Sequence, residues 1–99
     1  MKLLISTGNG QINITGAVSA YPNPFRTEAT IEFTSGLTSE AVVELYNQRG
    51  YKVKTVFEGN VGANETKTIT FSADDLPNDM YTYKVSTQHQ VYYGKIVKY

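Results

Sequence analysis

Cysteine is absent from the 99 residues, which excludes disulfide staples and thiolate metal sites. Its absence fixes no compartment, because an exported protein can do without it. Tryptophan is absent as well, and there is a single histidine, His89. That histidine lies in the polar stretch Ser86-Thr87-Gln88-His89-Gln90, which reads as a hairpin tip. With no cysteine beside it and no marked carboxylate dyad, it makes no catalytic set. No glycine-rich phosphate loop runs from a strand into a helix. The sequence therefore points away from an enzyme and calls for no cofactor. Charge of one sign is also lacking: nine basic side chains balance nine acidic ones. A neutral chain is a poor match for nucleic acid, or for a membrane surface held by bulk electrostatics. The longest aliphatic run is Leu3-Leu4-Ile5, far too short to span a membrane. Residues 1–5 superficially suggest a secretory signal, but Ser6-Thr7-Gly8-Asn9-Gly10 cuts off any apolar core. The start is expected to be the tail of something larger.

What the chain does have is tyrosine and threonine in quantity, with eight tyrosines and four phenylalanines. These side chains suit a pleated, half-buried surface. Apolar residues recur with period two in short bursts, and turn residues separate the bursts. Ile12 and Ile14 alternate with polar residues and predict a first strand. Ile31 and Phe33 predict a second, and Val43 and Leu45 a third that ends at the turn Asn47-Gln48-Arg49-Gly50. Tyr51, Val53, Thr55 and Phe57 are expected on one face of the next strand, with Lys52, Lys54 and Val56 on the other. Residues 59–64 read as an exposed loop. Lys67, Ile69 and Phe71 predict a further strand, and Asp74-Asp75-Leu76-Pro77-Asn78-Asp79 a dense turn. Tyr81, Tyr83 and Val85 then alternate with Thr82 and Lys84, and residues 91–99 close the chain. No window keeps a helical period. About seven strands at roughly ten-residue spacing predict an all-β, immunoglobulin-like antiparallel β-sandwich. Residues 1–20 are expected to be a looser lead-in and residues 21–99 the folded unit.

Two segments stand out: Tyr21-Pro22-Asn23-Pro24-Phe25, and Gly94-Lys95-Ile96-Val97-Lys98-Tyr99. With Thr30-Ile31-Glu32-Phe33, Val43-Glu44-Leu45-Tyr46, Gly50 and Leu76-Pro77-Asn78-Asp79-Met80-Tyr81, they occur in a set order. In that order the chain resembles the type A C-terminal sorting domain of the type IX secretion system of Bacteroidota, over residues 18–99. One position departs from the family pattern, where Asp79 replaces the usual glycine. If that position needed a positive φ, aspartate would tolerate it better than most residues. The resemblance implies an upstream cargo in the same chain, carried across the outer membrane to the cell surface or released. It implies passage through the periplasm, with translocon and attachment components and a sortase-like protease as partners. The polar stretch over residues 8–20 is the expected cleavage region.

Each segment also has a plain structural reading. The two prolines stiffen an aromatic-bounded entry to the sandwich and blunt an edge. Leu76, Pro77 and Tyr81 resemble a tyrosine corner, in which the hydroxyl ties back to upstream backbone. Asp74, Asp75 and Asp79 lack the spacing of a twelve-residue calcium loop and read as turn formers, so no metal site is expected. Residues 94–99 read either as an ordinary last strand with solvated lysines or as the surface the translocon recognises. In favour of the second, no acidic side chain follows Asp79, while Lys84, Lys95 and Lys98 do. An unpaired strand with a free terminus could be read by pocket capture or strand addition. It also invites homodimerisation through the edge. A rival class is a carbohydrate-binding or adhesive sandwich that stacks sugars on Tyr51, Tyr92 and Tyr93. A purely structural spacer is a third.

Overall fold

Alternation of buried and solvent-facing side chains builds seven strands in the computed structural model, which describes residues 18–99. They are β1 (Ser19–Tyr21), β2 (Glu28–Thr34), β3 (Ser39–Tyr46), β4 (Lys52–Val61), β5 (Thr66–Ser72), β6 (Asp79–Thr87) and β7 (Val91–Lys98). One sheet runs β1-β2-β5 and the other β4-β3-β6-β7, with every strand pair antiparallel. The two sheets face each other as an immunoglobulin-like sandwich. The fourth strand stays beside β3 rather than crossing to β5, giving the three-plus-four division. The strand expected at Ile12 and Ile14 lies outside the described residues. Among the described residues the first paired one is Ser19, opposite Glu32, two residues ahead of the expected start of the domain.

The inward sets interlock in the single core that period-two patterning requires. Ala29, Ile31 and Phe33 of β2 and Ile69 and Phe71 of β5 face Ala41, Val43 and Leu45 of β3. Tyr81, Tyr83 and Val85 of β6 and Ile96 of β7 complete it, with Phe25 and Leu76 supplied from loops. On the outer face of the smaller sheet, cross-strand polar pairs hold the β2–β5 register: Thr30 with Thr70 at 2.9 Å, Thr34 with Thr66 at 2.8 Å, and Thr68 donating to Glu32 at 3.1 Å.

Strand β4 departs from the expected pattern. Its register against β3 slips twice, leaving Val53 and Val56 as extra residues. Each bulge shifts the alternation by one, so Lys54 and Phe57 share the inward side and Thr55 turns outward. Lys54, on this edge strand, reaches Asp75 at 3.1 Å. An inward-pointing lysine and bulges are both devices that discourage edge-to-edge pairing. The loop expected at residues 59–64 is shorter than its composition suggests. Gly59, Asn60 and Val61 continue β4 opposite Ala41, Glu40 and Ser39, and Val61 is fully buried. Pairing with β3 and burial of Val61 override the glycine and asparagine signal. The turn proper is Gly62 to Glu65, with Asn64 at φ 61° and its N–H donating to the Ser35 carbonyl at 2.7 Å.

Other turns follow their chemistry. Gly50 takes φ 90° where the β3–β4 hairpin needs a left-handed residue. The Asn47 side chain accepts from the Arg49 and Tyr51 amides at 2.9 and 3.1 Å. Asp79 does not adopt a positive φ. It begins β6, and its carboxylate accepts the Met80 N–H at 2.7 Å, so replacing the family glycine costs no backbone strain.

The tyrosine corner is present. Tyr81 is 1% exposed and its hydroxyl donates to the Pro77 carbonyl at 2.5 Å. Burial, and secondarily the charges of Asp79 and Asp75, raise its pKa above the ordinary 10.0, and burial alone raises that of Tyr83. A phenol whose folded pKa is raised keeps its proton longer in the native state. Its stabilisation is complete below the unfolded value of 10.0 and is lost as pH climbs through the folded value. Urea midpoints are therefore expected to fall as pH rises above 10. Tyr81→Phe should remove part of that slope, while costing about 1–2 kcal/mol at neutral pH through the orphaned Pro77 carbonyl. An alkaline slope unchanged by Tyr81→Phe would refute the assignment.

Candidate recognition surface

The two segments singled out in the sequence meet in space. Residues 21–25 leave the end of β1, cross from the smaller sheet, and lie along the outer edge of β7. The peptide bonds before Pro22 and Pro24 are cis. The Asn23 side chain accepts the Val97 N–H at 3.0 Å and donates to the Lys95 carbonyl at 3.3 Å. Two residues further, Phe25 N–H donates to the Val97 carbonyl at 2.8 Å, and its own carbonyl accepts the Tyr99 N–H at 3.1 Å. Phe25 and Lys98 thus form a parallel bridge. Lacking N–H groups themselves, the prolines add no donors to this edge. The Phe25 side chain is buried and packs edge-on against Phe71, ring centroids 6.2 Å apart.

Consequently, the last residues of the chain do not form the open strand edge expected from the sequence. Over residues 95–99 the edge is occupied, and only the part near Val91 and Tyr93 pairs with β6 alone. Placement differs residue by residue. Ile96 is fully buried opposite Tyr81 and belongs to the core. Gly94 lies opposite Tyr83, whose ring crosses it; a Cβ there would come within 2.6 Å of Cε2 and closer to Cζ and the hydroxyl. Val97 contributes its backbone to Asn23 and Phe25. Lys98 points to the inner side and donates to the Asn78 side chain at 3.3 Å. Tyr99 is half exposed under the Arg26 guanidinium, 4.8 Å from its ring centroid. Lys95 is exposed on the opposite, outer face, across from Thr82.

Of the six residues expected to form the recognition surface, the structure leaves Lys95 and Tyr99 exposed to solvent. Sequence reasoning does not find Asn23, Arg26 and Asn78 as partners of the terminus: Asn23 and Arg26 lie more than seventy positions from the residues they meet, and Asn78 twenty from Lys98, with no local spacing to report either. Lys84 was noted only for its charge. Gly94→Ala is expected to destabilise the fold by about 1–3 kcal/mol, as overpacking does. Tyr83→Leu in the same chain should recover part of that loss. A Gly94→Ala chain as stable as its parent would show that the Tyr83 ring moves aside freely.

The carboxylates of the 74–79 turn have separate tasks, Asp75 toward Lys54 and Asp79 toward Met80. The Lys54 ammonium beside Asp75 holds its carboxyl below the usual 3.8. His89 is exposed in the β6–β7 turn, where Thr87 Oγ1 accepts the His89 and Gln90 amides at 3.1 and 3.0 Å. Tyr92 and Tyr93 are neighbours on β7 and so face opposite ways. Tyr92 packs against the core and its hydroxyl donates to Gln90, whereas Tyr93 is exposed. The three-tyrosine stacking platform of the glycan-binding alternative is therefore not assembled.

An immunoglobulin-like sandwich whose two signature segments brace each other defines a β-sandwich module built around its terminal strand. The model of the secretion system C-terminal sorting domain matches residues 19–99, and the chain belongs to that type IX secretion family. No curated protein and no solved structure matches it. Membership makes the domain a sorting signal, and it implies a cargo protein, the type IX machinery and export across the outer membrane.

Proposed function

We propose that the domain is read by the translocon as a folded unit, and that its recognition surface is the solvent-facing part of residues 94–99 held in place by residues 21–25. The observation that supports this is the exposed Lys95 on a strand whose opposite edge and inner face are both occupied, which leaves the outer face for a partner. In this reading Gly94, Ile96 and Val97 shape the strand, while Lys95, Lys98 and Tyr99 supply contacts. The chain performs no chemistry of its own. The cargo crosses the periplasm, is carried through the outer membrane, and is freed from the domain by a sortase-like protease before surface attachment or release. Ser19 and Ala20 are paired with Glu32 and Ile31, and proteases need unpaired, extended backbone. In this reading the cut falls in the 8–20 region, on the amino-terminal side of the Ser19 and Ala20 pairing.

The test fuses the chain to a periplasmic passenger in a type IX-competent host. Lys95→Ala and Lys98→Ala are made separately, because the two lysines lie on opposite faces of β7. Lys95→Ala is expected to lower surface display several-fold with an unchanged melting temperature, and Lys98→Ala to lower it less. Normal display with both lysines replaced would move recognition away from the side chains of this strand.

A further inference from the structure

The outer face of the β4-β3-β6-β7 sheet carries a groove of about 440 Å³ beside the 47–50 turn. Tyr46, Met80, Thr82, Lys84, Tyr93 and Lys95 line it. Register explains the grouping: Thr82 is opposite both Tyr46 and Lys95, and Lys84 is opposite both Glu44 and Tyr93. Met80 and Tyr93 are 40% and 67% exposed, an apolar area left open to solvent. The acid opposite Lys84 is Glu44, and both of its carboxylate oxygens are engaged by other side chains. One oxygen accepts from the Tyr46 hydroxyl at 3.2 Å and the other from Lys52 at 3.5 Å. Glu40 and Glu58 lie farther along the face, beside Asn60 and Val42. Among the described residues, neither Lys84 nor Lys95 forms an ion pair.

Lys84 and Lys95 are diagonal neighbours on one face, which places them about 7–8 Å apart. Alternate side chains of an extended peptide are spaced about 6.8 Å apart, two residues of strand rise. The two lysines therefore match carboxylates at positions i and i+2 of an extended chain, with Met80 and Tyr93 covering its apolar side chains. Two cations in a concavity fall short of the cluster of about 4–8 that binds an anionic lipid surface. The chain as a whole is neutral.

We propose that this groove receives an extended acidic segment of the secretion machinery, with carboxylates at alternate residues seated on Lys84 and Lys95. The inference rests on the sorting reading above and names the chemistry of the partner. The test titrates the full isotope-labelled chain with the acetylated, amidated peptide Glu-Leu-Glu-Leu-Glu and with its glutamine counterpart, followed by amide NMR. The acidic peptide should shift Thr82, Lys84, Tyr93 and Lys95, more weakly as salt is added. Lys84→Glu with Lys95→Glu should weaken binding by about tenfold or more. Because Lys84 faces Glu44, a Lys84→Gln and Lys95→Gln chain checks that the loss does not come from new repulsion within the sheet.

Equal binding of the glutamine peptide, or shifts elsewhere on the surface, would overturn the proposal. So would stronger binding to phosphatidylglycerol vesicles through the same lysines, which would make the partner a lipid surface. Shifts of these residues with chain concentration alone would make it a second copy and overturn the proposal too. In the passenger fusion, retention of the doubly reversed chain alongside export of the parent supports the groove. Export of both overturns the groove and leaves the sorting reading standing. Retention of the parent itself overturns the sorting reading and, with it, the groove as a translocon contact.

Discussion

Replacing Phe25 with alanine is expected to destabilise the domain by about 3–5 kcal/mol, the usual cost of deleting a buried phenylalanine. A domain of this size has about 5–15 kcal/mol of stability in total, so the loss approaches the unfolding threshold. The corresponding drop in melting temperature is at least about 12 °C. Phe25 is buried, meets Phe71 edge-on, and carries the two backbone bonds that tie down Val97 and Tyr99. Hydrogen exchange separates the packing effect from the bracing effect. In the parent chain the Val97 and Tyr99 amides should be protected; in Phe25→Ala they should exchange faster than the amides of β3. Phe25→Leu keeps most of the volume and should retain both the protection and more than half of the stability. Should Phe25→Ala leave Val97 and Tyr99 as protected as before, residues 21–25 do not brace the terminal strand.

Deleting residues 95–99 should abolish cooperative unfolding altogether. The deletion removes Ile96 from the core, leaves Asp79, Met80, Tyr81 and Thr82 without partners on one side, and strips the acceptor from Phe25 N–H. Loss of Ile96 alone is worth about 2–5 kcal/mol. The unpaired backbone groups of β6 and the solvent opened beside Tyr81 add to it. The expected signature is collapsed amide dispersion and a broad, non-cooperative melt. A truncated chain that still melts sharply, within about 1 kcal/mol of the parent, would refute this. Loss of export on such truncation therefore reports unfolding as much as loss of a signal. Single replacement of Lys95, which touches no core residue, separates the two.

The fold was legible in the sequence to the extent that alternation is local. Ile31 and Phe33, Val43 and Leu45, Ile69 and Phe71, and Tyr81, Tyr83 and Val85 each announced a buried face, and each set faces the core. Asn47 to Gly50 announced a hairpin, and Leu76 to Tyr81 a tyrosine corner, because both depend on residues a few positions apart. Strand β4 was misread for the complementary reason. Its bulges at Val53 and Val56 answer to β3, and the burial of Val61 outweighs the glycine before it. The open terminal edge was misread in the same way, since its cover comes from residues 21–25.

The sequence by itself determined the all-β class, the six strands from β2 to β7, the family and the two segments that carry it, because strand period and turn chemistry act over a few residues. Only the tertiary structure decided what those segments do. It packed Gly94 under Tyr83, buried Ile96, sent Lys95 and Lys98 to opposite faces, and placed Asn23 and Phe25 on the backbone of β7. Those outcomes follow from sheet register and from contacts between the two ends of the domain, and a linear pattern encodes neither.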